Sequence, residues 1–78
     1  MIHRFLTVIE KAEGNYSAYS PDLPGCVATG KTREEAERNM YEAIALHLRG
    51  LREDGLEIPP SQAVAEYVVV SDEVLESA

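Results

Sequence analysis

The sequence predicts an α+β domain of order β-β-β-α-β. Three strands form an antiparallel meander, one helix crosses one face of it, and a fourth strand follows. Three observations carry this prediction. Short runs rich in Ile, Val, Phe, Tyr and Thr alternate with Gly/Pro/Asn turn signals over the first 30 residues. A single amphipathic stretch then runs from Thr32 to Gly55 behind a capping signature. A last apolar run, Ala63 to Val70, ends in Tyr67-Val68-Val69-Val70.

Residues 2–10, IHRFLTVIE, read as the first strand. One parity carries Ile2, Leu6 and Val8, and the other Phe5 and Ile9, so both faces are substantially apolar. Lys11 to Asn15 read as a hairpin loop, with Gly14 and Asn15 suited to positive φ. Tyr16 to Ser20 form the returning strand. Pro21-Asp22-Leu23-Pro24-Gly25 cannot continue a central strand, because two prolines lack ladder donors and Pro24-Gly25 favours a turn. Cys26 to Thr29 then make a short third strand before Gly30.

The helix has the strongest local signals. Thr32 and Glu35 form a T-x-x-E capping box. At 100° per residue, Ala36, Met40, Ala43, Ile44, His47 and Leu51 share one face, with Leu48 at its edge. Arg38, Glu42, Arg49 and Arg52 lie opposite, and Asp54-Gly55 ends the helix. Leu56 to Ser61, with Pro59-Pro60, is a stiff extended connector. The fourth strand is again apolar on both parities. If it pairs with the first strand, the right-handed crossover rule makes that pairing parallel.

Residues 1–70 thus form the domain, and residues 71–78 an acidic tail. A chain of 78 residues suits one domain, and at this size only about 60–65% of the unfolded surface is buried, so stability is marginal. The lone Cys26 offers no intrachain disulfide. Homo-oligomerisation, as a dimer or larger, is the remaining route, and the second apolar sheet face is a surface it would bury. The net charge of −7, with 14 acidic and 7 basic residues, opposes a polyanionic partner and suits a basic protein; acidity for solubility alone is the competing reading. No run of about 18 apolar residues is present, and no charged leader opens the chain. A soluble, cytoplasmic protein without membrane partners is expected.

Catalytic chemistry finds little foothold. His47, on the apolar helix face, reads as a base or ligand or as a packed histidine. His3 has no Cys, His or Asp at ligand spacing. Cys26 lacks a neighbouring base, so packing is its simpler role. No P-loop or G-x-G-x-x-G fingerprint marks a cofactor site. Nuclease chemistry would require clustered acids holding a metal; Glu10, Asp22 and Asp72 are the candidates, and nothing in their spacing brings them together. No enzyme, metal or cofactor is expected.

The stretch Tyr19-Ser20-Pro21-Asp22-Leu23-Pro24-Gly25-Cys26-Val27-Ala28-Thr29-Gly30-Lys31-Thr32-Arg33-Glu34-Glu35-Ala36 resembles the signature of HicB-type antitoxins. Its parts are an aromatic strand end, D-L-P-G-C, a short strand, G-x-T and an E-A pair opening a helix. Glu42-Ala43-Ile44, Gly55 and Ile58-Pro59 extend the resemblance over residues 2–70. It implies a truncated RNase H-like fold without nuclease activity. It also implies a role in covering a HicA-type toxin, a small basic mRNA-cleaving protein, and assembly as a dimer or larger oligomer. Many such antitoxins carry a C-terminal DNA-binding segment; here eight residues follow Val70, so no direct DNA binding is expected. Within the motif, Tyr19, Asp22 and Leu23 are the candidate partner contacts. Pro24, Gly25, Cys26, Gly30, Thr32, Glu35 and Ala36 read as structural. A stand-alone oligomeric binding module and a metal-dependent nuclease relic are the alternative functions.

Overall fold

The computed structural model describes residues 1–76. Three strands, β1 (Val8–Ala12), β2 (Asn15–Tyr19) and β3 (Val27–Gly30), form one antiparallel sheet in the order β1-β2-β3. The helix α1 (Arg33–Glu53) packs on one face of it, and a short helix α2 (Asp72–Glu76) lies within the tail. The meander, the single long helix and their order match the α+β prediction.

Register decides which side chains meet the helix. Ile9, Ala18 and Ala28 lie directly opposite one another across the three strands, so their side chains share a face. Ala18 is buried there with Leu23, Cys26 and Met40, and Phe5, Ile9, Ala28, Ala43, Ile44 and Leu48 pack around them. The next row, Val8, Tyr19 and Val27, points to the opposite face. The hairpin is tighter than the sequence suggested: β1 runs through Ala12, β2 begins at Asn15, and only Gly14 takes positive φ.

Helix α1 begins and ends as its sequence dictates. Thr32 is the N-cap, and its hydroxyl accepts from the Glu35 amide at 3.1 Å. The Glu35 carboxylate accepts from the Lys31 amide at 3.1 Å, one residue further back than the simplest capping box. At the far end the Gly55 amide donates to the Arg52 carbonyl and the Leu56 amide to the Leu51 carbonyl. Gly55 has φ +70°. This pair of bonds is the Schellman arrangement, whose left-handed C′ residue carries no Cβ penalty when it is glycine.

One expectation is corrected, and a second is not met within the single chain. The first strand is shorter than residues 2–10, because β2 ends opposite Val8 and leaves residues 2–7 without a ladder partner. The expected fourth strand is not seen within the single chain: among the described residues, 63–70 are joined to none of the strands. Their β-prone sequence favours an extended backbone, but a strand exists only where a neighbour supplies hydrogen bonds.

Candidate functional site

The D-L-P-G-C segment consists of two consecutive tight turns. The Leu23 amide donates to the Ser20 carbonyl at 3.1 Å, and the Cys26 amide to the Leu23 carbonyl at 3.0 Å. Each turn has proline at its second position, and Gly25, the third residue of the latter, has φ +82°, the combination a type II turn requires. Ser20 ties the first turn down: its buried hydroxyl donates to the Leu6 carbonyl at 2.8 Å.

These turns point the motif's side chains in different directions. Leu23, expected as a partner contact, is 1% exposed and is a core anchor instead, since the turn folds it under the loop against Met40 and Ala18. Cys26 is buried beside it, and burial pushes its thiol above the ordinary value of 9.0. A thiol held protonated in this way is a packing group and not a ready nucleophile.

Asp22 has a role that its sequence neighbours do not reveal. Its Oδ2 accepts from the backbone amides of Gln62, at 2.9 Å, and Ala63, at 3.0 Å. One carboxylate oxygen thus clamps the chain where it leaves the helix connector. The partners lie some 40 residues downstream, beyond the reach of any local motif reading.

Tyr19 stays available. It is 41% exposed at the end of β2 and stands between Val8 and Val27, the latter 65% exposed, on the sheet face that α1 does not cover. Glu10, Ser17 and Thr29 form the next row of that face. The result is an apolar strip crossing the sheet, bordered on one side by two hydroxyl groups and one carboxylate. Val8 and Val27 could be paired with Tyr19 only once the register was known.

The remaining motif residues hold β3 and α1 together. Gly30 is buried where the strand meets the helix start. A Cβ there would strike the Ala36 amide nitrogen and lie 2.8 Å from the Glu35 carbonyl carbon and 2.9 Å from the Ala36 Cα. Ala36 has no exposed surface. The Asn39 side-chain amide donates to the Thr29 carbonyl at 2.8 Å and secures the same junction one turn later.

Among the described residues, no three His, Cys, Asp or Glu side chains converge on a metal-sized site. His47 is half-buried on α1. No described helix is long and apolar enough to cross a membrane. What the motif presents to solvent is the sheet face around Tyr19.

Comparison with known proteins agrees with this architecture. Residues 5–74 match the family model described as HicB_like antitoxin of bacterial toxin-antitoxin system. An uncharacterized 14.9 kDa protein of Haemophilus phage HP1 is 42% identical over 60 residues, which are 77% of this chain and 45% of that protein. The chain therefore spans less than half the length of this relative. A UPF0150 protein of Helicobacter pylori (strain J99) is 55% identical over 49 residues, 63% of this chain and 68% of that one. The crystal structure of the N-terminal domain of the Burkholderia pseudomallei antitoxin HicB superposes with a TM-score of 0.64 at 30% identity, covering 88% of this chain and 74% of that one. A chain of the HicA3 and HicB3 toxin-antitoxin complex gives 0.59 at 32% identity, covering 70% and 65%. With the family model spanning nearly the whole described domain, the chain belongs to the HicB-like antitoxin family of bacterial toxin-antitoxin systems.

Proposed function

We propose that this protein is a non-enzymatic antitoxin that binds a basic, HicA-type mRNA-cleaving toxin and covers its active surface. The observation that carries the reading is the uncovered sheet face: Val8, Tyr19 and Val27 form an apolar strip within a chain of net charge −7. An apolar centre with a polar rim is the usual anatomy of a protein interface. Complementary charge would steer a basic partner onto it. The solved HicA3 and HicB3 complex supports a toxin as that partner.

The homo-oligomer expected from the sequence belongs to the same reading. A truncated RNase H-like sheet would also need a fourth strand, for which residues 63–70 are the available segment. The nuclease alternative gains no support, because Asp22 spends a carboxylate oxygen on two backbone amides and no acidic cluster forms among the described residues.

Co-expression with a HicA-type toxin, sought among small basic reading frames beside its gene, is the test. Rescue of growth and a co-purifying complex are expected. Tyr19→Asp, which places a charge in the centre of the apolar strip, should weaken that complex at least about tenfold, as loss of a central aromatic contact does. A complex unaffected by Tyr19→Asp would remove the sheet face from the interface. Absence of both rescue and complex would remove the antitoxin function.

A further inference from the structure

The single chain is too extended to be a finished fold. A compact domain of this length has a radius of gyration of about 11–12 Å, and this chain's is 16.4 Å, with extents of 55 × 30 × 19 Å. A monomer of 8.6 kDa leaves about 4,700 Å² accessible, whereas 6609 Å² is accessible here. The excess, on the order of 1,900 Å², is more than twice the roughly 800 Å² each partner hides in a stable two-chain interface.

Much of this surface lies on one segment. Beyond the Asp22 clamp at Gln62 and Ala63, Tyr67, Val68 and Val69 are 99%, 84% and 94% exposed, and Val70 is more than half exposed. Such a run, apolar on both parities and without a ladder, is unstable in water. It has β propensity, no charge and no proline, which suits it to adding onto a sheet edge.

A matching receptor lies on the same molecule. Among the described residues β1 has a neighbour on one side only, and α1 lies mainly over β3 and β2, making its fewest contacts with β1. Between them an open groove of about 700 Å³ is lined by Phe5, Thr7, Ile9, Tyr41, Ala45 and Leu48. His3 also lines it and has a buried Nε2 with no hydrogen-bond partner among the described residues. The chain's own connector runs past residues 4–7, sharing a cleft with them at Ser61, Ala63, Val64 and Ala65, and then departs.

We propose that residues 66–70 form the fourth strand in a second copy of this chain, lying along its β1 edge with one row of side chains in the β1–α1 groove. The exchange is reciprocal. Each chain has one free arm and one empty groove, so a two-fold pair satisfies both at once. A toxin seated on the arm would leave the groove and the β1 edge open, which is why a second copy is the better occupant. The inference rests on the oligomeric part of the proposed function and not on the toxin. It also leaves the Val8–Tyr19–Val27 strip free.

The test is made on the full chain without toxin. Light scattering behind size exclusion at micromolar concentration should give twice the 8.6 kDa of one chain. Val69→Pro removes an amide that is unpaired in the single chain but needed in a ladder. Ala45→Glu puts a carboxylate into the groove while keeping a good helix former. Both should yield a folded monomer by circular dichroism, and both should still bind the toxin. Wild-type amides at residues 67–70 should exchange with solvent at least about tenfold slower than in Val69→Pro. A wild-type monomer overturns the proposal, and so does a dimer that persists in either variant. Solvent-rate exchange at residues 67–70 of the wild-type dimer also overturns it, whether or not the variants fold. Toxin binding by a wild-type monomer would overturn the exchange while leaving the antitoxin reading intact.

Discussion

Gly30, Asp22 and Cys26 show how much of this domain depends on single side chains, or on the absence of one. At Gly30 a methyl group would collide with backbone atoms of Glu35 and Ala36, which cannot move without lifting α1 from β3. Gly30→Ala should therefore cost about 3 kcal/mol, the upper range for overpacking, read as a lower urea midpoint. Asp22 supplies two charge-assisted hydrogen bonds to the connector. Asp22→Ala should lower stability by about 2 kcal/mol and speed amide exchange at Gln62 and Ala63. Cys26 makes a prediction about pH. Its thiol is raised above 9.0 by burial, so folding favours the protonated form. That contribution is complete below the unfolded thiol's value and is lost as pH rises through the folded one. Wild-type stability should consequently fall more steeply above about pH 9 than that of Cys26→Ala, in denaturation curves taken across the alkaline range.

Elements differ in how far local sequence fixes them. Helix α1 is nearly self-describing: the cap at Thr32, the apolar face through Ala36 and Met40, and the Gly55 ending all form as read. Thr32→Ala should cost about 1 kcal/mol, seen as a lower thermal midpoint and fraying of the first turn by amide exchange. Strands are less self-sufficient. The hairpin pairs because its two halves adjoin across Glu13-Gly14. The run ending in Tyr67-Val68-Val69-Val70 has stronger β propensity than β3, yet within the single chain it has no ladder, because no described strand comes alongside it. Propensity selects an extended backbone; the ladder must come from elsewhere.

For the whole molecule, acidity and the uncovered apolar strip both bear on the proposed toxin partner. The net charge of −7 should make association with a basic toxin faster at low salt. Raising ionic strength from about 0.05 to 0.5 M should slow association by about tenfold or more, with a much smaller effect on dissociation, measurable by stopped-flow mixing.

Sequence alone determined the α+β class, the meander, the helix with both its ends, and the motif that marks the family. Each of these rests on neighbours within a few residues, where capping, turn chemistry and helical periodicity act. Tertiary structure decided what depends on distance along the chain. It turned Leu23 inward from its expected place as a contact, and it gave Asp22 a partner some 40 residues away. It set Tyr19 between Val8 and Val27 through register, and it left residues 63–70 without a ladder. A β-strand is a relation between segments, so no segment's own residues can establish one.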